Sequence, residues 1–254
     1  AFKEKNGFAP GIAVVLVQGD PASERYARQI GRTFEGVGMG FNMHTLPTET
    51  SQDALLGLIQ QLNANLEVSG IIVQIPLPKH ISQEAVASAI LPGKDVDGIN
   101  PINAGRLLAG TGDYFAPATP SGGMEILHRN GVKIQGANAV VAGRSMIVGK
   151  PMACLLLHEH ATVTIAHSRT KDLGAVCRSA DILAVAIGKA GVITGDMVKP
   201  GAVVIDFGVN FVEGKMTGDV DFASASQVAG SITPVPGGTG PVTNSTGGMV
   251  QLLD

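Results

Sequence analysis

Short runs of β-branched and aliphatic residues recur along the whole chain, with segments of helical spacing between them. That alternation narrows the fold more than any other feature, because strand, helix and strand in succession build α/β layers around a parallel sheet. In the first half the strand runs are 11–17, 41–46 and 70–75, and the helical segments cover 21–37, 51–63 and 82–90. Asp20 and Ser51 stand where an N-cap is wanted, and Pro21 suits a first helical turn. Residues 109–123, rich in Gly, Pro and Thr, mark a domain junction, with a helix from 119 or 120 to 130 joining the halves. The second half resumes the alternation, with strands over 138–142, 162–166, 181–186, 202–206 and 231–235 and helices over 151–158 and 173–179. The expected fold is α/β in two domains.

Composition excludes several classes of function. Hydrophobic residues are 44% and charged residues 15%, so the chain can bury a core and is not intrinsically disordered. The 18 basic and 21 acidic side chains are interspersed, and there is no Trp; neither a nucleic-acid footprint nor a stacking platform is present. No apolar stretch approaches the ~18 residues of a membrane span, and the first residues lack the apolar core of a signal peptide. Cys154 and Cys177 form no CxxC pair, and His158 and His160 are spaced so that they cannot share a helix face. No metal, nucleic-acid or membrane partner is expected, and the expected setting is cytoplasmic.

The sharpest local signal is Val140-Val141-Ala142-Gly143-Arg144-Ser145-Met146-Ile147-Val148-Gly149-Lys150-Pro151. A buried strand enters a loop bracketed by glycines and leaves in a helix, whose free N–H groups and dipole suit a phosphate. The spacing is not GxGxxG, and a plain strand-to-helix turn also accounts for the loop taken alone. The next strand ends His167-Ser168-Arg169-Thr170, without the carboxylate that would hold a ribose 2′-hydroxyl of NAD. Hydroxyls from Ser168 and Thr170, with a guanidinium from Arg144 or Arg169, suit a 2′-phosphate instead, so NADP is expected over NAD. The stretch Thr233-Pro234-Val235-Pro236-Gly237-Gly238-Thr239-Gly240-Pro241 reads either as a loop skirting a flat ligand or as a rigid connector.

In the first half, Gln74 interrupts the run Ile71-Ile72-Val73-Gln74-Ile75-Pro76-Leu77-Pro78. A buried amide needs partners, so Gln74 is a satisfied core group or a pocket residue at a strand end. Asp97, in Lys94-Asp95-Val96-Asp97-Gly98, is a turn former or a site carboxylate. Tyr26 shares a helical stripe with Ile30, Phe34 and Val37, and by periodicity it is core.

Taken together, these segments resemble the folate dehydrogenase–cyclohydrolase family, the methylenetetrahydrofolate dehydrogenases. The matching motifs are Asp20-Pro21-Ala22-Ser23 followed by Tyr26, Val73 to Pro78, Lys94 to Gly98, Ala118-Thr119-Pro120, Gly143-Arg144-Ser145 with Val148 to Pro151, His167 to Thr170, and Pro234 to Gly238. The resemblance implies oxidation of 5,10-methylenetetrahydrofolate with hydride passing to NADP, hydrolysis of the methenyl product in many members, and a homodimer. It implies a substrate domain over 1–118, to which 241–254 can return, and a Rossmann-type NAD(P)-binding domain over 119–240. Tyr26, Gln74 and Asp97 match the family's catalytic positions, with Pro76, Leu77, Thr119, Pro236 and Gly237 as further folate contacts. The implied cofactor contacts are Gly143, Arg144, Ser145, Val148, Gly149, Ser168, Thr170, Val209, Gly237 and Gly238.

One position departs from the pattern in a way that bears on chemistry. Four residues after Tyr26 the family carries a lysine that assists hydrolysis, and this chain carries Ile30. An i,i+4 pair shares a helix face, so Ile30 is expected where the ammonium would project. Gln29 cannot act as an acid or base, and Arg28 and Arg32 lie on other faces. Hydride transfer depends chiefly on positioning, whereas addition of water gains about 10²–10⁴-fold from proton management. The expectation is a dehydrogenase with weak or absent cyclohydrolase activity; a bifunctional enzyme and a silent folate- or nucleotide-binding protein are the alternatives. A two-domain dehydrogenase acting on another substrate, as in the shikimate enzymes, is a further reading, against which no well-placed lysine stands near Tyr26 or Gln74. The family usually places a helix before the first strand, where this chain has about ten residues, and 244–249 read as a poor helix start.

Overall fold

The computed structural model describes residues 9–36 and 38–246; Val37, the expected end of the first helix, lies outside the described residues. The chain clusters into two compact units, the described part of the first being 9–116 and the second Pro117–Thr246.

In the first unit, β1 (Gly11–Val17) is followed by α1 (Pro21–Gly36), β2 (Gly40–Leu46), α2 (Gln52–Ala64) and β3 (Gly70–Val73). The strands form a parallel sheet in the order β2-β1-β3, with Val14 level with Met43 on one side and Ile72 on the other. Successive side chains of a strand point to opposite faces. Accordingly, Ile12, Val14 and Ile72 join Ala27, Ile30 and Phe34 of α1 in one cluster, while Ala13, Val15, Ile71 and Val73 join Leu55 and Ile59 of α2 in another. Caps arise where the sequence places them: Asp20 Oδ2 accepts from Ser23 N at 2.9 Å and Ser51 Oγ from Ala54 N at 3.2 Å. β3 ends at Val73 rather than at 75, because Pro76 has no N–H with which to extend the ladder.

Beyond β3 lie α3 (Gln83–Ala89) and α4 (Pro101–Ala109), the latter not anticipated. Asn100 starts α4 by accepting from Ile102 N at 2.7 Å, with Pro101 in its first turn. Between these helices Lys94 Nζ donates to the carbonyls of Leu62 and Asn65 and so closes the end of α2.

The second unit opens with α5 (Ala118–Arg129), β4 (Asn138–Ala142), α6 (Gly149–His158), β5 (Thr162–Ala166), α7 (Leu173–Arg178) and β6 (Ile182–Val185). It continues through β7 (Val203–Asp206), the antiparallel hairpin of β8 (Asn210–Val212) with β9 (Lys215–Thr217), α8 (Phe222–Ala225), β10 (Ser231–Ile232) and α9 (Thr239–Thr246). Five strands form a parallel sheet in the order β10-β7-β6-β4-β5. Alternation divides its core too: Val140, Leu183 and Val204 pack on the face that holds Cys177, and Val141, Ala184 and Ile205 on the face of Met124, Met152 and Leu156. The strand expected over 231–235 stops at Ile232, since Pro234 and Pro236 cannot donate to the ladder. Asn244 begins no helix; it lies in the second half of α9, which starts at Thr239 and packs against α5. Among the described residues no helix is long and apolar enough to cross a membrane.

Candidate functional site

The glycine-bracketed loop leaves β4 at its carboxyl end, where open α/β sheets bind ligands. Gly143 N donates to Ala166 O at 2.9 Å and Ala186 N to Ala142 O at 2.8 Å, so the loop is held between β5 and the exit of β6. Gly143 has φ +144, and a Cβ there would overlap the carbonyl oxygen of Ala186. A Cβ on Gly149 would overlap the carbonyl of Gly143 itself. Both positions therefore require glycine. Ser145 closes the loop from within, its Oγ accepting from Val148 N at 3.1 Å and Gly149 N at 3.2 Å. α6 begins at Gly149, two residues before the expected start, with Pro151 still in its first turn.

Around this loop lies a cavity of about 520 Å³. Gly143, Arg144, Ser145, Ser168 and Thr170 line it, as the sequence led one to expect, and His167 stands beside them. Ile187 and Lys189 form part of its wall and were not anticipated; a Gly-Lys pair just past a buried strand was the available signal. Val148 and Gly149 stand at the start of α6, whereas Val209, Gly237 and Gly238 are not among the residues that line the cavity. Thr170 Oγ1 accepts from His167 N at 2.9 Å, which fixes the turn after β5 and leaves the hydroxyl proton to donate. Among the described residues no carboxylate lines the cavity, and Arg144 and Lys189 supply positive charge. A glycine cradle with cations, hydroxyls and no acid fits a nucleotide bearing a 2′-phosphate.

In the first unit the motifs of the expected substrate site meet near the ends of β1 and β3. Ser23 Oγ lies 2.6 Å from Asp20 Oδ2 and 3.1 Å from Ile75 O, tying the start of α1 to the turn after β3. Gln74 is 5% exposed; its backbone N donates to Val15 O, while its side-chain amide has no hydrogen bond among the described residues. Pro76 is exposed and Leu77 half-buried in the following turn. Asp95 pairs with Ile71 beside β3, and its buried carboxylate accepts from Ile99 N, Asn100 N and Asn103 Nδ2. Asp95, Asn100 and Asn103 are all buried and were missed, since a sequence does not show which of two nearby acids turns inward.

That frame holds Asp97. Its residue keeps some accessible surface, yet its carboxyl is densely surrounded by protein, and burial together with the Asp95 carboxylate pushes it up to about 7. No hydrogen bond to the Asp97 carboxyl is formed among the described residues. The side chain of Tyr26 lies outside the described residues. Ile30 is 5% exposed and sits in the cluster with Ala27, Phe34, Ile72 and Val96. In the second unit, Thr119 is half-buried in the first turn of α5 and Pro236 is exposed.

Comparison with known proteins agrees with both halves. The family model described as tetrahydrofolate dehydrogenase/cyclohydrolase, catalytic domain, matches residues 1–97, and that of the NAD(P)-binding domain matches residues 117–249. The chain is 57% identical over 245 residues to the bifunctional protein FolD of Roseiflexus sp. (strain RS-1), covering 96% of this chain and 85% of that one. Among solved structures, the bifunctional FolD of Campylobacter jejuni superposes with a TM-score of 0.94 at 42% identity, covering 99% of this chain and 88% of that one. The methylenetetrahydrofolate dehydrogenase-cyclohydrolase of Trypanosoma brucei, solved with NADP and an inhibitor, does so with 0.94 at 36% over 99% and 88%. From the glycine cradle of one unit and the Gln74–Asp97 end of the other to these matches over nearly its whole length, the chain belongs to the tetrahydrofolate dehydrogenase/cyclohydrolase family.

Proposed function

We propose that the chain catalyses two successive reactions: NADP-dependent oxidation of 5,10-methylenetetrahydrofolate to the 5,10-methenyl compound, and hydrolysis of that compound to 10-formyltetrahydrofolate. The observation that carries the reading is the presence, in one chain, of an acid-free phosphate cradle and of two polar side chains in the first unit, Gln74 and Asp97, that form no hydrogen bond among the described residues. The solved relatives named as dehydrogenase and cyclohydrolase together support the second reaction as well as the first. Bound NADP supplies the acceptor for the hydride that leaves the methylene carbon. Gly143 and Gly149 let the backbone approach the nucleotide, while Arg144, Ser168 and Thr170 face its 2′-phosphate. The reading includes a homodimer, checked by sedimentation velocity, and a cytoplasmic setting.

Water adding to the methenyl carbon must give up a proton, and Ile30 cannot take it. Asp97 can, because a base works best when its pKa lies near the working pH. Its carboxyl is neutral below about 7 and charged above. Enzyme-accelerated hydrolysis should therefore climb as pH passes about 7 and level off above it. Asp97→Asn should flatten that profile and lower the rate by about 10²-fold or more. An unchanged profile in the variant removes Asp97 from the proton path.

The second reading is a dehydrogenase without hydrolysis, and the absence of any lysine from α1 favours it. Absorbance kinetics on purified protein separates the two, with methylenetetrahydrofolate plus NADP in one cuvette and added methenyltetrahydrofolate in another. Methenyl decay faster than the spontaneous rate supports the bifunctional reading, and decay at that rate supports the other. In the same assay Arg144→Ala should lower kcat/KM for NADP by about 10- to 100-fold, the worth of one charge-assisted contact, and change that for NAD less than about threefold. Equal losses with both nucleotides would place Arg144 on a part of the cofactor that they share.

A further inference from the structure

Two carboxylates in the second unit are buried with no ion-pair partner among the described residues. Asp219 is 0% exposed and Asp206 2% exposed. Asp219 Oδ2 accepts from two successive amides, Ile187 N at 2.6 Å and Gly188 N at 2.7 Å, and its Oδ1 accepts from Asn210 Nδ2 at 2.9 Å. The backbone around it fastens the same segment further along, with Gly191 N donating to Gly218 O and Ile193 N to Asp219 O. This stitched segment carries Ile187, Lys189 and Val192 into the wall of the nucleotide cavity, and Ala186 at its start meets Gly143.

Asp206 continues the chain of contacts. Its carboxylate accepts from the backbone N–H groups of Gly208, Asp219 and Val220, its own N–H donates to Thr233 Oγ1, and its carbonyl accepts from Thr239 Oγ1. Gly208 and Gly218 are glycines for this reason, because a Cβ on either would overlap an aspartate of the pair. Such burial costs free energy unless each oxygen is satisfied, and here each has a donor.

We propose that Asp219 is the positioning residue of the nucleotide cavity, holding the Ile187–Lys189 wall at the distance from Gly143 that NADP requires, with Asp206 anchoring it to the Thr233–Thr239 loop. The proposal rests on the NADP reading of that cavity.

The chemistry of the carboxylate supplies a test. Asp219→Ala leaves two buried amides without an acceptor. In Asp219→Asn the amide oxygen still accepts from both, and the new NH₂ can donate to Asn210 once that amide turns over. NADP binding would be measured by titration calorimetry below the melting temperature of each ligand-free variant, alongside KM for each substrate. Asp219→Ala should bind NADP on the order of 30-fold more weakly, and its KM for methylenetetrahydrofolate should stay within about threefold. Asp219→Asn should stay within about threefold of the original protein on both measures. Asn210→Ala, which removes one of the three donors, should weaken NADP about three- to fivefold and serves where Asp219→Ala does not fold. Unchanged NADP affinity in folded Asp219→Ala, or in Asn210→Ala, overturns the proposal, as does a loss in Asp219→Asn as large as that in Asp219→Ala. If the unsubstituted protein binds NAD and not NADP, the cofactor reading fails first.

Discussion

Replacing Gly143 with alanine should lower nicotinamide reduction on the order of 100-fold or more, the equivalent of about 3 kcal/mol. Two independent obstacles act at this position. Its φ of +144 lies where a residue with a side chain is strained, and the added methyl overlaps the carbonyl oxygen of Ala186. Neither partner has room to yield, since Gly143 N and Ala186 N are both held by sheet hydrogen bonds. The loop must therefore shift as a body, taking with it the Arg144 side chain and the Ser145 cap on Val148 and Gly149. Gly105→Ala is the matched control: nothing lies within 4 Å of a Cβ there and the residue sits inside α4, so the change should be neutral or stabilising by up to about 1 kcal/mol. Measurement of kcat/KM for NADP and of NADP affinity in both variants decides the matter. Full activity in Gly143→Ala would mean that the loop is not the nucleotide's cradle.

The cradle was legible in the sequence because it is local: a β-branched run, two glycines and a proline within one strand-to-helix turn state their own geometry. The same holds for the sheet strands, whose alternating faces appear in the clusters that share β1 and β4. The buried acids were not legible. Asp219 and Asp221 stand two apart in one short motif, yet Asp219 is fully buried while Asp221, at the start of α8, accepts from Ser224 Oγ and keeps part of its surface. What separates them is that the Asp219 carboxylate accepts from the amides of Ile187 and Gly188, some thirty positions earlier, and no local pattern encodes that. Asp95 and Asp97 repeat the case. The sequence singled out Asp97, while the frame that gives it an unusual environment, Asp95 with Asn100 and Asn103, arises only when the turn folds against β3. Polar groups in this chain are decisive where the backbone of a distant segment needs an acceptor, and such needs become visible only in three dimensions.

Ile30→Lys should destabilise the first unit by at least about 3 kcal/mol, because the substitution removes a buried aliphatic side chain and places an ammonium in its position. Ile30 is 5% exposed between Ala27 and Phe34 on α1, and it packs in the cluster that holds Ile12, Val14, Ile72 and Val96. None of these can accept a hydrogen bond through its side chain, so a lysine there is left to bury its charge, to lose it, or to draw its stem out along the helix. The melting temperature of the first unit should fall by more than about 10 °C, while Ile30→Met, similar in volume and uncharged, should cost less than about 1.5 kcal/mol. The enzyme-accelerated hydrolysis of methenyltetrahydrofolate, measured at a temperature where both variants remain folded, is the second readout. A large loss of stability with no gain in hydrolysis assigns Ile30 to packing and leaves the proton to Asp97. A fall of less than about 2 °C together with faster hydrolysis would show that position 30 reaches the substrate, and that the isoleucine, rather than the fold around it, limits the second reaction.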